Sequence, residues 1–268
     1  MRTGWQLVGA GPRAYERHLV PAIFTACADH LLDLAAVGPG DRVVDVACGT
    51  GIVARRAAAR VGPVGAVTGV DVNDEMIAVA READPDGVAR WERADAAALP
   101  VADGDADVVL CQHGMQYLPD RPAALAEARR ALRPGGRLGV AVWRSIEHQP
   151  GFAALADALE RVAGPAAGDI MRTPFGGPDP DTLRLLLAGA GFADPHTRIG
   201  VITVRFPSPR ELLVRQVSAS PLVGVVGVLP AERLAALEEE VERALAPFVD
   251  DDGVTFPMET WLVRAQRT

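Results

Sequence analysis

The run Val43-Val44-Asp45-Val46-Ala47-Cys48-Gly49-Thr50-Gly51-Ile52-Val53-Ala54-Arg55 constrains the fold of this chain more than any other segment. It reads as a buried apolar strand, a glycine turn and the start of a helix, the entry to a parallel α/β sheet. Gly49 and Gly51 allow a tight turn and a close approach of ligand to bare backbone amides. Twenty residues after Gly51, a second apolar strand, Ala66-Val67-Thr68-Gly69-Val70, ends in Asp71. A carboxylate there is placed to accept both hydroxyls of a ribose, so a nucleoside site is the first expectation.

Gly49, Gly51 and Ala54 satisfy the loose dinucleotide pattern G-x-G-x-x-[GA], a weak signal alone. Three features favour S-adenosylmethionine over a dinucleotide. Asp45 lies inside the first strand, where a carboxylate is costly unless it has a partner such as the ammonium end of that cofactor. Asp95, in Arg93-Ala94-Asp95-Ala96, follows a third strand and is suited to accept from an adenine amine. Leu132-Arg133-Pro134-Gly135-Gly136 then closes a helix before the apolar strand Leu138 to Trp143.

In the order and spacing of these motifs, residues 41–143 resemble the class I S-adenosylmethionine-dependent methyltransferases, most closely the small-molecule type 11 or UbiE-like branch. Cys48 departs from the glycine common there and is read as packing. The resemblance implies a doubly wound, Rossmann-like, seven-stranded sheet with an antiparallel last strand slotted between strands five and six. It also implies S-adenosylmethionine as cofactor, S-adenosylhomocysteine as product, and a small-molecule methyl acceptor.

The expected organisation is an N-terminal helical segment (1–37), a cofactor-binding core (38–143), a lid insertion (144–180), core continued (181–206), a second lid insertion (207–254) and a final core strand (255–268). Pro21 should kink or divide the first helix, and 164–180 is turn-rich. The insertions should cover the carboxyl edge of the sheet, where ligands bind in open α/β folds.

The cofactor-binding candidates are Gly49 and Gly51 with Asp45 and Ala47 in the same strand and turn, Asp71 for the ribose, and Val72 and Met76 around the adenine. Asp95 with the Ala96 amide would read the adenine edge, and Gln112 the methionine end. Tyr15 would close over the sulfonium, as helices at that position do in similar enzymes. The loop after strand four departs from the catalytic histidine pair of some resembling O-methyltransferases, offering Gln116 and Tyr117 instead. His113 is then the first candidate base and His148 the second. If neither acts, the acceptor is already nucleophilic and positioning supplies the catalysis. Trp143, Phe152, Met171 and Phe175 are candidates for an apolar acceptor wall, with Arg144 or Arg172 meeting an acidic group. O-, C- and N-methylation stay open.

Other classes fit less well. The chain of 268 residues carries a net charge of −8 and all 27 basic residues are arginine. No lysine is available for the Tyr/Lys catalysis of short-chain dehydrogenases, and no dense basic run invites nucleic acid. Cys27, Cys48 and Cys111 have no metal-site or disulfide spacing, so no metal is expected. With no apolar run of about 20 residues and no signal-peptide stretch, a cytoplasmic bacterial enzyme without membrane attachment is expected, monomeric or homodimeric. A methyltransferase fold that uses bound cofactor as scaffold for a cyclisation is the alternative, and a binding protein without chemistry the third.

Overall fold

The computed structural model describes residues 6–268; the first five residues of the expected 1–37 segment lie outside the described residues. The elements in chain order are α1 (Gly11–Ala14), a π-helical stretch (Tyr15–Phe24), α2 (Thr25–Leu34), β1 (Arg42–Val46), α3 (Ile52–Val61), β2 (Ala66–Asp71), α4 (Asp74–Glu82), β3 (Arg90–Arg93), β4 (Ala106–Gln112), α5 (Arg121–Ala131) and β5 (Leu132–Trp143). There follow α6 (Pro150–Ala163), α7 (Pro165–Arg172), α8 (Pro180–Gly189), β6 (Phe192–Phe206), α9 (Pro209–Ser218), α10 (Val223–Val226), α11 (Ala231–Leu245), β7 (Val249–Asp250) and β8 (Gly253–Arg267).

The strands form one sheet in the order β3-β2-β1-β4-β5-β8-β6, with the two-residue β7 paired to β8. β1 to β5 run parallel, and β8 is antiparallel to both β5 and β6. The slotted antiparallel strand is thus present, and β7 raises the expected seven strands to eight. β1 lies in the interior of the sheet between β2 and β4, where its Val43, Val44 and Val46 are buried, as a strand covered on both faces requires.

Caps fix where the helices begin. The Asn73 side chain accepts from the Glu75 and Met76 amides at 2.9 and 3.3 Å, and Asp120 accepts from Ala123 at 2.9 Å ahead of Pro122. Each such cap satisfies backbone donors that have no partner inside the helix. Pro21 neither ends nor divides the N-terminal helix. The chain widens to a π-helix across it, and the Thr25 hydroxyl donates to the Val20 carbonyl at 3.0 Å. Widening is one of the ways a helix absorbs a missing amide. The turn-rich 164–180 stretch contains a helix, α7, whose start at Pro165 exploits the tolerance of proline in a first helical turn.

The pair β6–β8 reaches beyond the parallel strands. β5 ends where Trp143 pairs with Thr260, but β8 continues alongside β6 from Glu259 to Val254. Those six residues carry the hairpin about 20 Å past the carboxyl edge. α6, α7, α9 and α11 pack on this arm around a core of their own, in which Phe152, Leu159, Phe206, Leu212, Leu237 and Phe256 are buried. The two insertions therefore form one roofed body over the sheet rather than two separate surface decorations.

Candidate active site

A cavity of about 460 Å³ opens between the carboxyl ends of β1, β2 and β4 and the roof, within the roughly 300–1,000 Å³ usual for small-molecule sites. One end is acidic, lined by Asp45, Asp71 and Asp95; the other is aromatic, lined by Phe24, Trp143, Phe152 and Phe175. No arginine lines either end among the described residues.

Asp71, at the tip of β2, accepts from the Gly49 amide at 2.8 Å through Oδ2 and from the Asn73 amide at 2.9 Å through Oδ1. Burial pushes its carboxyl up, against the pull of those amides. A carboxylate has about four acceptor directions, so each oxygen retains capacity toward the cavity. The Gly49 amide is consequently not bare, and neither are its neighbours: Cys48 donates to Val70 and Gly51 to Cys48. The turn resembles a carboxylate-braced wall more than a phosphate cradle.

The two loop glycines differ. Gly49 has φ +55° and open space where a Cβ would stand, and it lines the cavity. Gly51, φ +87°, faces away: a Cβ there would lie 2.2 Å from the Trp91 ring. Gly51 does not line the cavity, and its missing side chain makes room for the Trp91 ring.

Asp45 is fully buried and accepts from the Ala54 amide at 3.1 Å. Burial lifts its carboxyl to about 8, with Asp71 adding to the shift and the Ala54 amide opposing it. Ala47 adopts φ +55° on the same wall, a left-handed backbone that a non-glycine residue accepts only under constraint. Gln112 donates to the Phe24 carbonyl at 3.2 Å, which ties β4 to the N-terminal helix, while its own Oε1 is buried without a hydrogen-bond partner. Val72 and Met76 line the cavity beyond Asp71, as do Ala96 and Asp95, whose Oδ1 accepts from Ala97 at 2.9 Å. Tyr15 lines it from the π-helix, with its ring 5.0 Å from Phe24.

His113 also has a left-handed backbone, φ +51°, and its amide extends the sheet by donating to Ala141. Its ring stacks on Trp143 at 3.7 Å, nearly parallel, and neither ring nitrogen has a hydrogen-bond partner. Burial drives its pKa down to about 3, so the imidazole stays neutral and is a poor proton acceptor. His148, the second candidate base, stands apart from the cavity. It does not line the cavity, and its Nε2 lies 2.8 Å from the Arg144 guanidinium. The two arginines considered for an acidic acceptor are engaged elsewhere: Arg144 with Glu259, Arg172 with Asp157 and Glu160.

Sequence reasoning missed Phe24 and Gln216. The available signal for Gln216 was a polar residue recurring at helical spacing after Leu212 and Leu213, on the stripe that α9 buries.

The site suits S-adenosylmethionine: an acidic end without arginine favours a sulfonium and an ammonium and repels a pyrophosphate, and the orphaned Gln112 oxygen awaits a donor. The fold and this cavity define a class I S-adenosylmethionine-dependent methyltransferase. A family model described as a methyltransferase domain matches residues 44–140. The ubiquinone/menaquinone biosynthesis C-methyltransferase UbiE of Ectopseudomonas mendocina is 35% identical over 176 residues, 60% of this chain and 68% of that protein. The 2-phytyl-1,4-naphtoquinone methyltransferase of Synechocystis is 35% identical over 127 residues, 46% of this chain and 52% of that one. Among solved structures, the geranyl diphosphate C-methyltransferase of Streptomyces coelicolor A3(2), bound to S-adenosyl-L-homocysteine, shares the fold with a TM-score of 0.53 at 18% identity, over 92% of this chain and 81% of that one. The chain belongs to the UbiE-like, type 11 branch of the class I methyltransferases, and it methylates a small molecule with S-adenosylmethionine as cofactor. No helix among the described residues is long and apolar enough to cross a membrane.

Proposed function

We propose that the acceptor is a small, largely apolar or aromatic metabolite, methylated at the aromatic end of the cavity. One observation carries this reading: a single continuous space joins the three aspartates to the wall of Trp143, Phe152 and Phe175. S-adenosylmethionine supplies an electrophilic methyl group when bound. In this reading Asp71 holds the ribose hydroxyls, Val72 and Met76 flank the adenine, and Asp95 with the Ala96 amide meets its edge. Asp45, Ala47 and Gln112 surround the methionine end, Gly49 leaves room for it, and Tyr15 covers the sulfonium.

The protein's contribution to the reaction is orientation and exclusion of water. Reacting atoms held about 3–3.5 Å apart in line gain much of the barrier lowering available to a displacement. With its pKa lowered by burial, the His113 ring is a weak base, so in this reading the acceptor enters already nucleophilic, as an electron-rich carbon. The two quinone methyltransferases named above, one of them a C-methyltransferase, favour carbon. Incubation with isotopically methyl-labelled cofactor and a panel of phenols, quinols and amines tests this, read as a mass gain of one methylene with label retained. A panel in which only charged polar compounds gain label would contradict it.

The lack of a group titrating near neutral pH at the aromatic end also fits the second reading, in which bound cofactor merely completes the cavity for a cyclisation. An acceptor converted to an isomer of unchanged mass, with no label incorporated, would mark that case.

A further inference from the structure

The aromatic end is uncharged but not merely greasy. Gln216, on α9, is 5% exposed and lines the cavity. Its Nε2 has only the Met171 sulfur, at 3.8 Å, and its Oε1 is buried without a hydrogen-bond partner. His113, 6% exposed, leaves both ring nitrogens unpaired at the same end. Leaving a buried polar atom unsatisfied costs about 1–3 kcal/mol, and folded proteins do so rarely. A purely structural residue on the stripe of Leu212 and Leu213 would serve better as leucine or methionine. At the aromatic end, His113 just past β4 and Gln216 in the roof together mark capacity held for a ligand.

No positive charge faces the same end among the described residues. The chain contains no lysine, no arginine among the described residues lines the cavity, and Arg144 and Arg172 are committed to carboxylates. An ionised acceptor group would enter with its charge uncompensated, which is far costlier than an unmade neutral hydrogen bond.

We propose that the acceptor site selects an uncharged molecule carrying an O–H or N–H donor, which the Gln216 amide oxygen receives, while the His113 ring meets a second polar edge. This inference rests on reading the aromatic end as the acceptor site. It makes Gln216 a specificity residue: donor-bearing compounds are admitted, and their capped analogues are penalised because the amide oxygen then stays unpaired.

The test uses three biphenyls of matched size, measured by equilibrium dialysis at pH 7.5 against the protein saturated with S-adenosylhomocysteine. The expected order is 4-phenylphenol at least tenfold tighter than 4-methoxybiphenyl, with biphenyl-4-carboxylate at least tenfold weaker than the phenol. In Gln216→Leu the phenol-to-ether ratio should fall to near one. Equal or tighter binding of the carboxylate, no binding of the phenol, or an unchanged ratio in Gln216→Leu would each overturn the proposal. Calorimetric binding of S-adenosylhomocysteine reports whether the variant is folded; if it is lost there, Gln216→Met replaces the leucine variant, and the wild-type order still decides the charge preference. If wild-type protein ignores S-adenosylhomocysteine, the functional reading itself fails; if it binds while the biphenyls show no such order, only this inference does.

Discussion

Asp45 should make the ligand-free protein lose stability as pH rises from about 6.5 to 8. Its carboxyl is lifted by burial from 3.8 to about 8, so the folded state keeps a proton that the unfolded chain has already released. Across that interval stability falls with pH by up to about 1.4 kcal/mol per unit. His113 acts in the opposite sense. Its pKa is lowered from 6.5 to about 3, so below 6.5 the unfolded chain holds the extra proton and stability rises with pH; His18, also lowered by burial, adds to that rise. Asp71, raised by burial, adds to the Asp45 effect at the acid end. The opposing groups largely cancel between about pH 4 and 6.5. Above 6.5 the histidines no longer contribute, and Asp45 alone removes about 2 kcal/mol by pH 8. The buried cysteines, with thiols pushed above 9, contribute only at higher pH. Urea unfolding at half-unit pH steps reads this directly. Asp45→Asn, whose amide oxygen can still accept from Ala54, should be flat from 6.5 to 8 and more stable than wild type at pH 8. Below 6.5 it should show the uncompensated rise from the histidines. Identical profiles for the two proteins, or wild-type stability that increases from 6.5 to 8, would refute the reasoning.

The remaining predictions concern the two loops and the imidazole. Asp71→Ala should weaken S-adenosylhomocysteine binding by about 1–3 kcal/mol, the scale of a lost charged hydrogen bond; unchanged affinity by calorimetry removes Asp71 from the site. Gly51→Ala should destabilise the fold by about 2–4 kcal/mol, combining the left-handed backbone with displacement of the Trp91 ring, whereas a loss of cofactor affinity with stability intact would return Gly51 to the cavity. The kcat profile with the acceptor found by labelling should show no inflection between pH 5 and 7.5 from His113, whose pKa lies near 3; an inflection near 6.5 that disappears in His113→Asn would restore it as the base.

Much of this architecture was legible in the sequence because local signals and long-range packing agree. The apolar runs of β1, β2 and β4 are buried on both faces, so hydrophobicity alone marks them. α11 (Ala231–Leu245) forms where the stripe of Leu237, Val241 and Leu245 has helical spacing. Where tertiary contacts outvote local chemistry, the reading failed. Pro21 suggests a break but sits in a π-helix that runs directly into α2 and buries Leu19, Val20 and Ile23. Gly164 and Pro165 suggest a loop but start a helix that packs on α6. Gly51 fits a ligand motif, yet its reason for being glycine is Trp91, forty residues away. Arg144 and Arg172 cannot be assigned without knowing which acids lie beside them. The spacing of Gln216 after Leu212 and Leu213 hints at burial, but its meaning comes only from the absence of a partner for its amide oxygen.

The central claim is that the acidic end of this cavity receives a sulfonium nucleoside rather than a dinucleotide, and paired calorimetric titrations test it most directly. S-adenosylmethionine should bind at one site per chain, and oxidised or reduced nicotinamide dinucleotide should give no binding heat. Saturable binding of a dinucleotide with none of S-adenosylmethionine would contradict the account.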